Sequence, residues 1–105
     1  MRLFCLILFF LLTVESVFGA SIFTSGNQLQ KWVKSERTIE KALYAGYVSG
    51  VSDTANGALF CIPAEVRVEQ IMAIVEKFLK NNPEKWNNSG SSIVIDAMET
   101  PFPCK

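Results

Sequence analysis

The sequence predicts an all-α fold: a small bundle of four to five short helices held together by one disulfide. Apolar residues recur at helical spacing in several segments, and we find no run with the alternating pattern of a β-strand. The chain has 105 residues and three cysteines. A domain of this size buries only a marginal core, so we expect a covalent link between distant segments.

Residues 1–19 have the layout of a secretory signal peptide. Arg2 supplies a positive charge, an apolar run follows over residues 3–12, and small residues precede a cleavage point before Ala20. An apolar run of this length is too short to span a bilayer. We therefore expect residues 20–105 to be exported to the periplasm as a single domain without a membrane anchor.

The cysteines supply the expected link. Cys5 leaves with the signal peptide, so Cys61 and Cys104 remain in a chain that enters an oxidising compartment. A disulfide between them is the favoured interpretation, and closing a loop of this length would stabilise the fold by ~4 kcal/mol. Two free thiols are the alternative.

The helices follow from the spacing of apolar residues and from their end signals. The first is predicted over residues 24–35, with Thr24 and Ser25 as candidate N-caps. The second covers residues 37–55 and is stopped by an Asn-Gly pair. The third covers residues 68–80 and has the clearest amphipathic pattern.

The end of the chain is broken into shorter pieces. Asn82 and Pro83 can start one helical turn that runs to Trp86. The sequence NNSGSS that follows is expected to break the helix, and a short last helix covers residues 93–99.

The second helix carries an apolar stripe that we expect to face the core. Its members are Ile39, Ala42, Leu43, Tyr47, Val51 and Ala55. Gly46 and Gly50 lie along its edge, and each interior glycine costs a helix ~1 kcal/mol relative to alanine. Glycines four residues apart let another helix approach closely. We favour close packing inside the monomer; a homodimer seam built from Gly46, Tyr47, Gly50 and Val51 is the alternative.

The sequence offers little chemistry for catalysis. It contains no histidine, which excludes Ser-His-Asp and Cys-His nucleophilic sites and the usual zinc spacings. The acidic residues show no spacing typical of a glycosidase pair or a calcium loop. We therefore predict no enzyme activity, no metal and no cofactor. The formal net charge is zero, which argues against nucleic acid as a partner.

Two places are candidates for contact with a protein partner. One is the loop that contains Lys85, Trp86, Asn87 and Asn88, in which Trp86 is either a binding anchor or, as we favour, a clamp onto the core. The other is Asp53, near the carboxyl end of the second helix, where the helix dipole disfavours a negative charge. A hydrogen bond from a neighbouring loop is the favoured role of this carboxylate.

Five segments occur in a recognisable order. They are GYVSGVSD at 46–53, FCIPAEV at 60–66, QIMAIVEKFL at 70–79, NPEKW at 82–86 and FPC at 102–104. Their order and spacing resemble the Rap/Tai family of small periplasmic immunity proteins. The similarity runs from about Leu43 to Cys104, most of the predicted mature chain.

The resemblance implies an all-α fold, a disulfide and a homodimer. It also implies that the protein neutralises a peptidoglycan-cleaving amidase delivered by type VI secretion, by binding the toxin and occluding its active-site cleft. Such an inhibitor needs no catalytic residues. From the loop chemistry, and not from matched family residues, we predict toxin contacts at Lys85, Trp86, Asn87, Asn88 and Asp53.

The chain departs from the family pattern at two places. Relatives carry a cysteine just before the GY segment, where this chain has Tyr44 and Ala45, so a second disulfide is missing. Arg67 stands where a Thr or Ser usually caps the third helix, which removes a cap worth ~1 kcal/mol. The alternative function is a small periplasmic helical chaperone or stress protein without a cognate toxin.

Overall fold

A computed structural model describes residues 22–105 as four α-helices. They are α1 (Gly26–Lys34), α2 (Thr38–Ala55), α3 (Val68–Asn81) and α4 (Gly90–Glu99), with a 3₁₀ turn, Pro83–Lys85, before α4. The all-α prediction is confirmed for this part of the chain. The predicted signal peptide, residues 1–19, lies outside the described residues. Among residues 22–105, no helix has the length and apolar character needed to cross a membrane.

Local chemistry sets the ends of the first two helices. Ser25 caps α1, because its Oγ accepts a hydrogen bond from the backbone N–H of Gln28 at 3.3 Å. At the end of α2 the N–H of Asn56 donates to the carbonyl of Ser52 at 2.9 Å. Gly57 follows with a φ of 89°, a left-handed conformation that glycine adopts without strain.

The third helix lacks a side-chain cap from Arg67, as the sequence predicted. The amide oxygen of Gln70 partly compensates, since it accepts a hydrogen bond from the backbone N–H of Arg67 at 2.8 Å. This contact is the reverse half of a capping box and satisfies one donor at the start of α3.

The last helix begins earlier than predicted. We expected it to start at residue 93, but α4 starts at Gly90. Ser89 is the reason, because its Oγ accepts a hydrogen bond from the N–H of Ser92 at 3.2 Å and caps the first turn. The NNSGSS segment therefore starts the helix rather than breaking it.

One core lies between the four helices and includes the loop residue Phe60. Its buried apolar members are Leu29, Tyr44, Val48, Ala55, Phe60, Ile71, Val75, Leu79, Ile93, Val94, Ala97 and Met98. The prediction for the buried face of α2 was wrong in part. Tyr44 and Val48 are buried, whereas Ile39 and Leu43 are 62% and 47% exposed. Tyr47 and Val51 are half-buried at the edge of this core.

The disulfide joins Cys61 to Cys104, with their Cα atoms 4.9 Å apart, so the alternative of two free thiols is wrong. The backbone N–H of Cys61 also donates to the carbonyl of Phe102 at 2.8 Å. On the other side, the side-chain oxygen of Asn56 accepts from the N–H of Ile62 at 2.8 Å. These contacts attach the C-terminal segment and the 56–62 loop to each other and to the end of α2.

Candidate binding surfaces

Gly46 and Gly50 lie on the outward side of α2. A Cβ atom built on either glycine would meet no atom of a neighbouring element within 4 Å. The internal close packing that we favoured from the sequence is therefore wrong. The physical reason is rotation of the helix: Tyr44, Val48 and Ala55 face the core, and the glycines lie on the opposite side.

The two glycines instead form the floor of an open apolar groove, which we call the glycine groove. Its volume is about 570 Å³. It is lined by Gly46, Tyr47, Gly50, Val51, Thr54, Ala55, Ala58, Leu59, Ser91 and Ile95. Leu59 is 53% exposed, and Ile39 and Leu43 extend the apolar character along the outer face of α2. Soluble monomers rarely expose continuous apolar surface unless it binds something.

Asp53 lies on the outer face of α2, seven residues after Gly46, and is exposed. Within residues 22–105 its carboxylate forms neither an ion pair nor the loop hydrogen bond that we favoured from the sequence. The side chain is therefore accessible to a partner, beside the glycine groove.

The loop after the 3₁₀ turn is held by the segment that enters α1. The N–H of Gly26 donates to the carbonyl of Asn88 at 2.9 Å, and the N–H of Asn27 donates to that of Trp86 at 2.8 Å. In the opposite direction, the N–H of Gly90 donates to the carbonyl of Thr24 at 2.7 Å. We call residues 86–90 the contact loop. These backbone hydrogen bonds fix the path of the contact loop. The sequence alone suggests a free loop here and does not predict the hydrogen bonds.

Side chains add to this attachment. The Nδ2 of Asn27 donates to the Oδ1 of Asn87 at 3.0 Å, at the surface. Asn87 and Asn88 are both exposed, so they present amide groups to solvent from a fixed backbone. Amides both donate and accept hydrogen bonds, which suits recognition of peptide groups on another protein.

Trp86 is turned inward. Its Nε1 donates to the backbone carbonyl of Leu79 at 2.7 Å, and its ring packs at the edge of the core. It thus ties the contact loop to the last turn of α3, which is the clamp that the sequence analysis favoured. The Trp86 side chain is half-buried, whereas those of Asn87 and Asn88 are exposed. A smaller fraction of the Trp86 side chain is therefore available to a partner.

Lys85 sits at the side of the contact loop. Its Nζ lies 5.1 Å from the centre of the Phe78 ring and 4.0 Å from an oxygen of Asp96. Both contacts are weak at a partly exposed site, so the ammonium group remains available for a stronger acceptor on a partner.

The described residues contain no group of three metal-binding side chains. Tyr44 is a buried titratable group in α2. Burial raises the pKa of its phenol above the ordinary value, and the charge of Glu76 raises the pKa further. The hydroxyl donates a hydrogen bond to the carbonyl of Met72 at 2.7 Å. This pairing joins α2 to α3 and has the character of a structural contact.

Comparison with known proteins gives one match. No curated protein matches the chain. A family model does match: that of the Rap1a immunity proteins, over residues 25–104. This range starts at the cap of α1 and ends at the second cysteine of the disulfide, so it spans the whole described fold. The chain therefore belongs to the Rap1a immunity protein family.

Proposed function

We propose that this chain is a periplasmic immunity protein that binds and inhibits a peptidoglycan amidase toxin delivered by type VI secretion. The family match over residues 25–104 carries the proposal, because immunity proteins act by binding a toxin. Inhibition would occur by occlusion of the amidase active site, which requires a rigid surface and no catalytic residue of its own.

The contact loop is the part of the surface that we assign to the toxin, with Asn87 and Asn88 making the central contacts. Its backbone is already fixed by hydrogen bonds to residues 24–27, so little conformational entropy is lost on binding. Lys85 and the exposed edge of Trp86 border these amides. Asp53 lies beside the glycine groove and is the remaining candidate contact for the toxin.

The glycine groove is the surface that we assign to a second copy of this chain. Glycines at positions 46 and 50 would let the α2 helices of two subunits approach closely, and Ile39, Leu43 and Leu59 would be covered. One face that meets itself is the arrangement of a two-fold symmetric dimer. The formal neutrality of the chain imposes no long-range repulsion between copies.

Export completes the proposal. Residues 1–19 would be removed as a signal peptide, and residues 20–105 would act as one domain in the periplasm. The Cys61–Cys104 disulfide supports this location, since disulfides persist in oxidising compartments and are rare in the bacterial cytosol.

The direct test is titration of the processed protein against its candidate toxin, to be sought as a secreted amidase encoded by a neighbouring gene. We expect hydrolysis of peptidoglycan to fall to zero near an equimolar ratio. Asn88→Arg should weaken inhibition at least tenfold, because it places a bulky charge in the centre of the contact loop. The matched control is Asn81→Arg, which places the same charge on an exposed asparagine at the end of α3 and should inhibit like the unmodified protein. Full amidase activity at a stoichiometric excess of the unmodified protein would contradict the proposal.

The exposed apolar groove also favours a second candidate, a small chaperone that binds unfolded chains. This function predicts that the processed protein suppresses aggregation of a reduced, unfolded test protein. Suppression of aggregation without inhibition of the amidase would favour the chaperone, and the reverse result would favour immunity.

A further inference from the structure

Phe23 is the most exposed large apolar side chain in residues 22–105, at 98%. Among the other strongly exposed apolar residues of this part of the chain, Ile22 directly precedes Phe23, whereas Ile39, Leu43 and Leu59 belong to the glycine groove and the face that extends it. Phe23 lies elsewhere, immediately before the segment that holds the contact loop. A fully exposed phenyl ring contributes nothing to the core and is the kind of side chain that anchors protein interfaces.

The backbone next to Phe23 is firmly placed. The carbonyl of Thr24, the following residue, accepts the 2.7 Å hydrogen bond from the N–H of Gly90, and Ser25 forms an antiparallel bridge with Ser89. Phe23 is therefore one residue away from a hydrogen-bonded pair of segments, and its ring is exposed to solvent.

Two glycines permit this close pairing. A Cβ atom on Gly26 would lie 2.8 Å from the Cα and the carbonyl oxygen of Trp86 and would clash with Ile93. A Cβ atom on Gly90 would lie 2.9 Å from the ring of Tyr47 and 3.1 Å from the carbonyl oxygen of Thr24. The two segments thus approach to a distance that side chains would prevent, which makes them one continuous surface.

We propose that residues 23–27 and 86–90 form a single two-segment surface for the toxin, with Phe23 as its aromatic anchor. This inference rests on the proposed immunity function and adds the anchor residue and the kind of site it fits. Trp86 is held inward by its hydrogen bond to the carbonyl of Leu79. We therefore assign the main aromatic contact with the toxin to Phe23.

The chemistry of the surface defines its partner. Phe23 would enter an apolar pocket, and the amides of Asn27, Asn87 and Asn88 would meet peptide groups around that pocket. None of these four side chains is charged. Lys85, at the side of the contact loop, is the charged side chain beside them, so we expect the affinity to fall only modestly as ionic strength rises.

The experiment compares Phe23→Ala with the unmodified processed protein, with calorimetric titration against the amidase of the neighbouring gene. We expect Phe23→Ala to weaken binding at least tenfold and to leave the melting temperature unchanged, because the exposed ring supports no packing in the free protein. Phe23→Leu should recover part of the affinity. Val68→Ala is the matched control, since Val68 is another exposed apolar residue at neither surface and should not change the affinity.

Hydrogen exchange of the free protein tests the pairing of the two segments without any toxin. The amides of Gly26, Asn27 and Gly90 should exchange slowly, and Gly26→Ala should accelerate all three. Equal binding by Phe23→Ala and the unmodified protein would overturn the proposed anchor while leaving the immunity function intact. Rapid exchange of these amides in the unmodified protein would overturn the paired surface. Failure of the unmodified protein to bind the amidase would instead contradict the proposed function and the surface with it.

Discussion

Replacing Gly46 with alanine should stabilise the monomer. The position is inside α2 with ordinary helical backbone, and the space around it is open to 4 Å. The substitution therefore gains helix propensity of about 1 kcal/mol without a steric cost. For a domain of this size, that gain raises the melting temperature by about 4–8 °C. Gly46→Ala combined with Gly50→Ala should gain about 2 kcal/mol.

The same substitution should weaken a dimer that uses the glycine groove, because each methyl group holds the partner helix further away. The gain in monomer stability and the weakening of the dimer can be measured separately at low and at high protein concentration. In dilute solution, where the monomer predominates, circular dichroism should give a higher melting temperature for Gly46→Ala. In concentrated solution, sedimentation equilibrium should give a larger dimer dissociation constant, and Gly46→Leu should abolish the dimer.

Two results would refute this reasoning. A lower melting temperature of monomeric Gly46→Ala would mean that another part of the same chain packs against the glycine. An unchanged dimer constant for Gly46→Leu would place the seam elsewhere. Val68→Ala, outside the groove, controls for effects of apolar surface on self-association.

Three further predictions concern stability. Ser52 is buried and its hydroxyl has no hydrogen-bond partner among the described residues. Ser52→Ala should therefore raise the free energy of unfolding by about 1 kcal/mol in urea denaturation. A lower free energy of unfolding would show that the hydroxyl has a hydrogen-bond partner. Replacing both Cys61 and Cys104 with serine should cost about 4 kcal/mol, since the bridge spans 43 residues; an unchanged urea midpoint would contradict this. Burial raises the pKa of Tyr44 above its ordinary value of 10.0, so the folded state keeps the proton longer than the unfolded state. The contribution of Tyr44 to stability should thus be constant below pH 10 and fall above it, and Tyr44→Phe should remove that fall in alkaline urea titrations.

Much of the fold follows from local sequence. The bounds of α3 agree with prediction to one residue, because its apolar spacing is regular and its flanks are polar. Ser25 as the cap of α1 and the end of α2 before Asn56-Gly57 also follow from short-range chemistry. The disulfide followed from the count of cysteines in a chain that we predict to be exported.

The buried face of α2 did not follow. Apolar residues surround much of this helix, so its pattern fits two rotations that differ by about a quarter of a turn. The positions of α3 and α4 select the rotation that buries Tyr44 and Val48. Ile39, Leu43 and the two glycines are therefore exposed. The hydrophobicity pattern alone does not tell which of the apolar residues of α2 are exposed and which are buried.

The sequence by itself determined the helical class, the bounds of α3, the covalent link and the absence of histidine-based catalysis. These properties depend on residue type and on neighbours a few positions away. The tertiary structure decided which face of α2 is open, and it brought residues 24–27 against the contact loop, 60 positions later in the chain. Both depend on how distant segments pack, because backbone hydrogen bonds between loops carry no side-chain signal in the sequence.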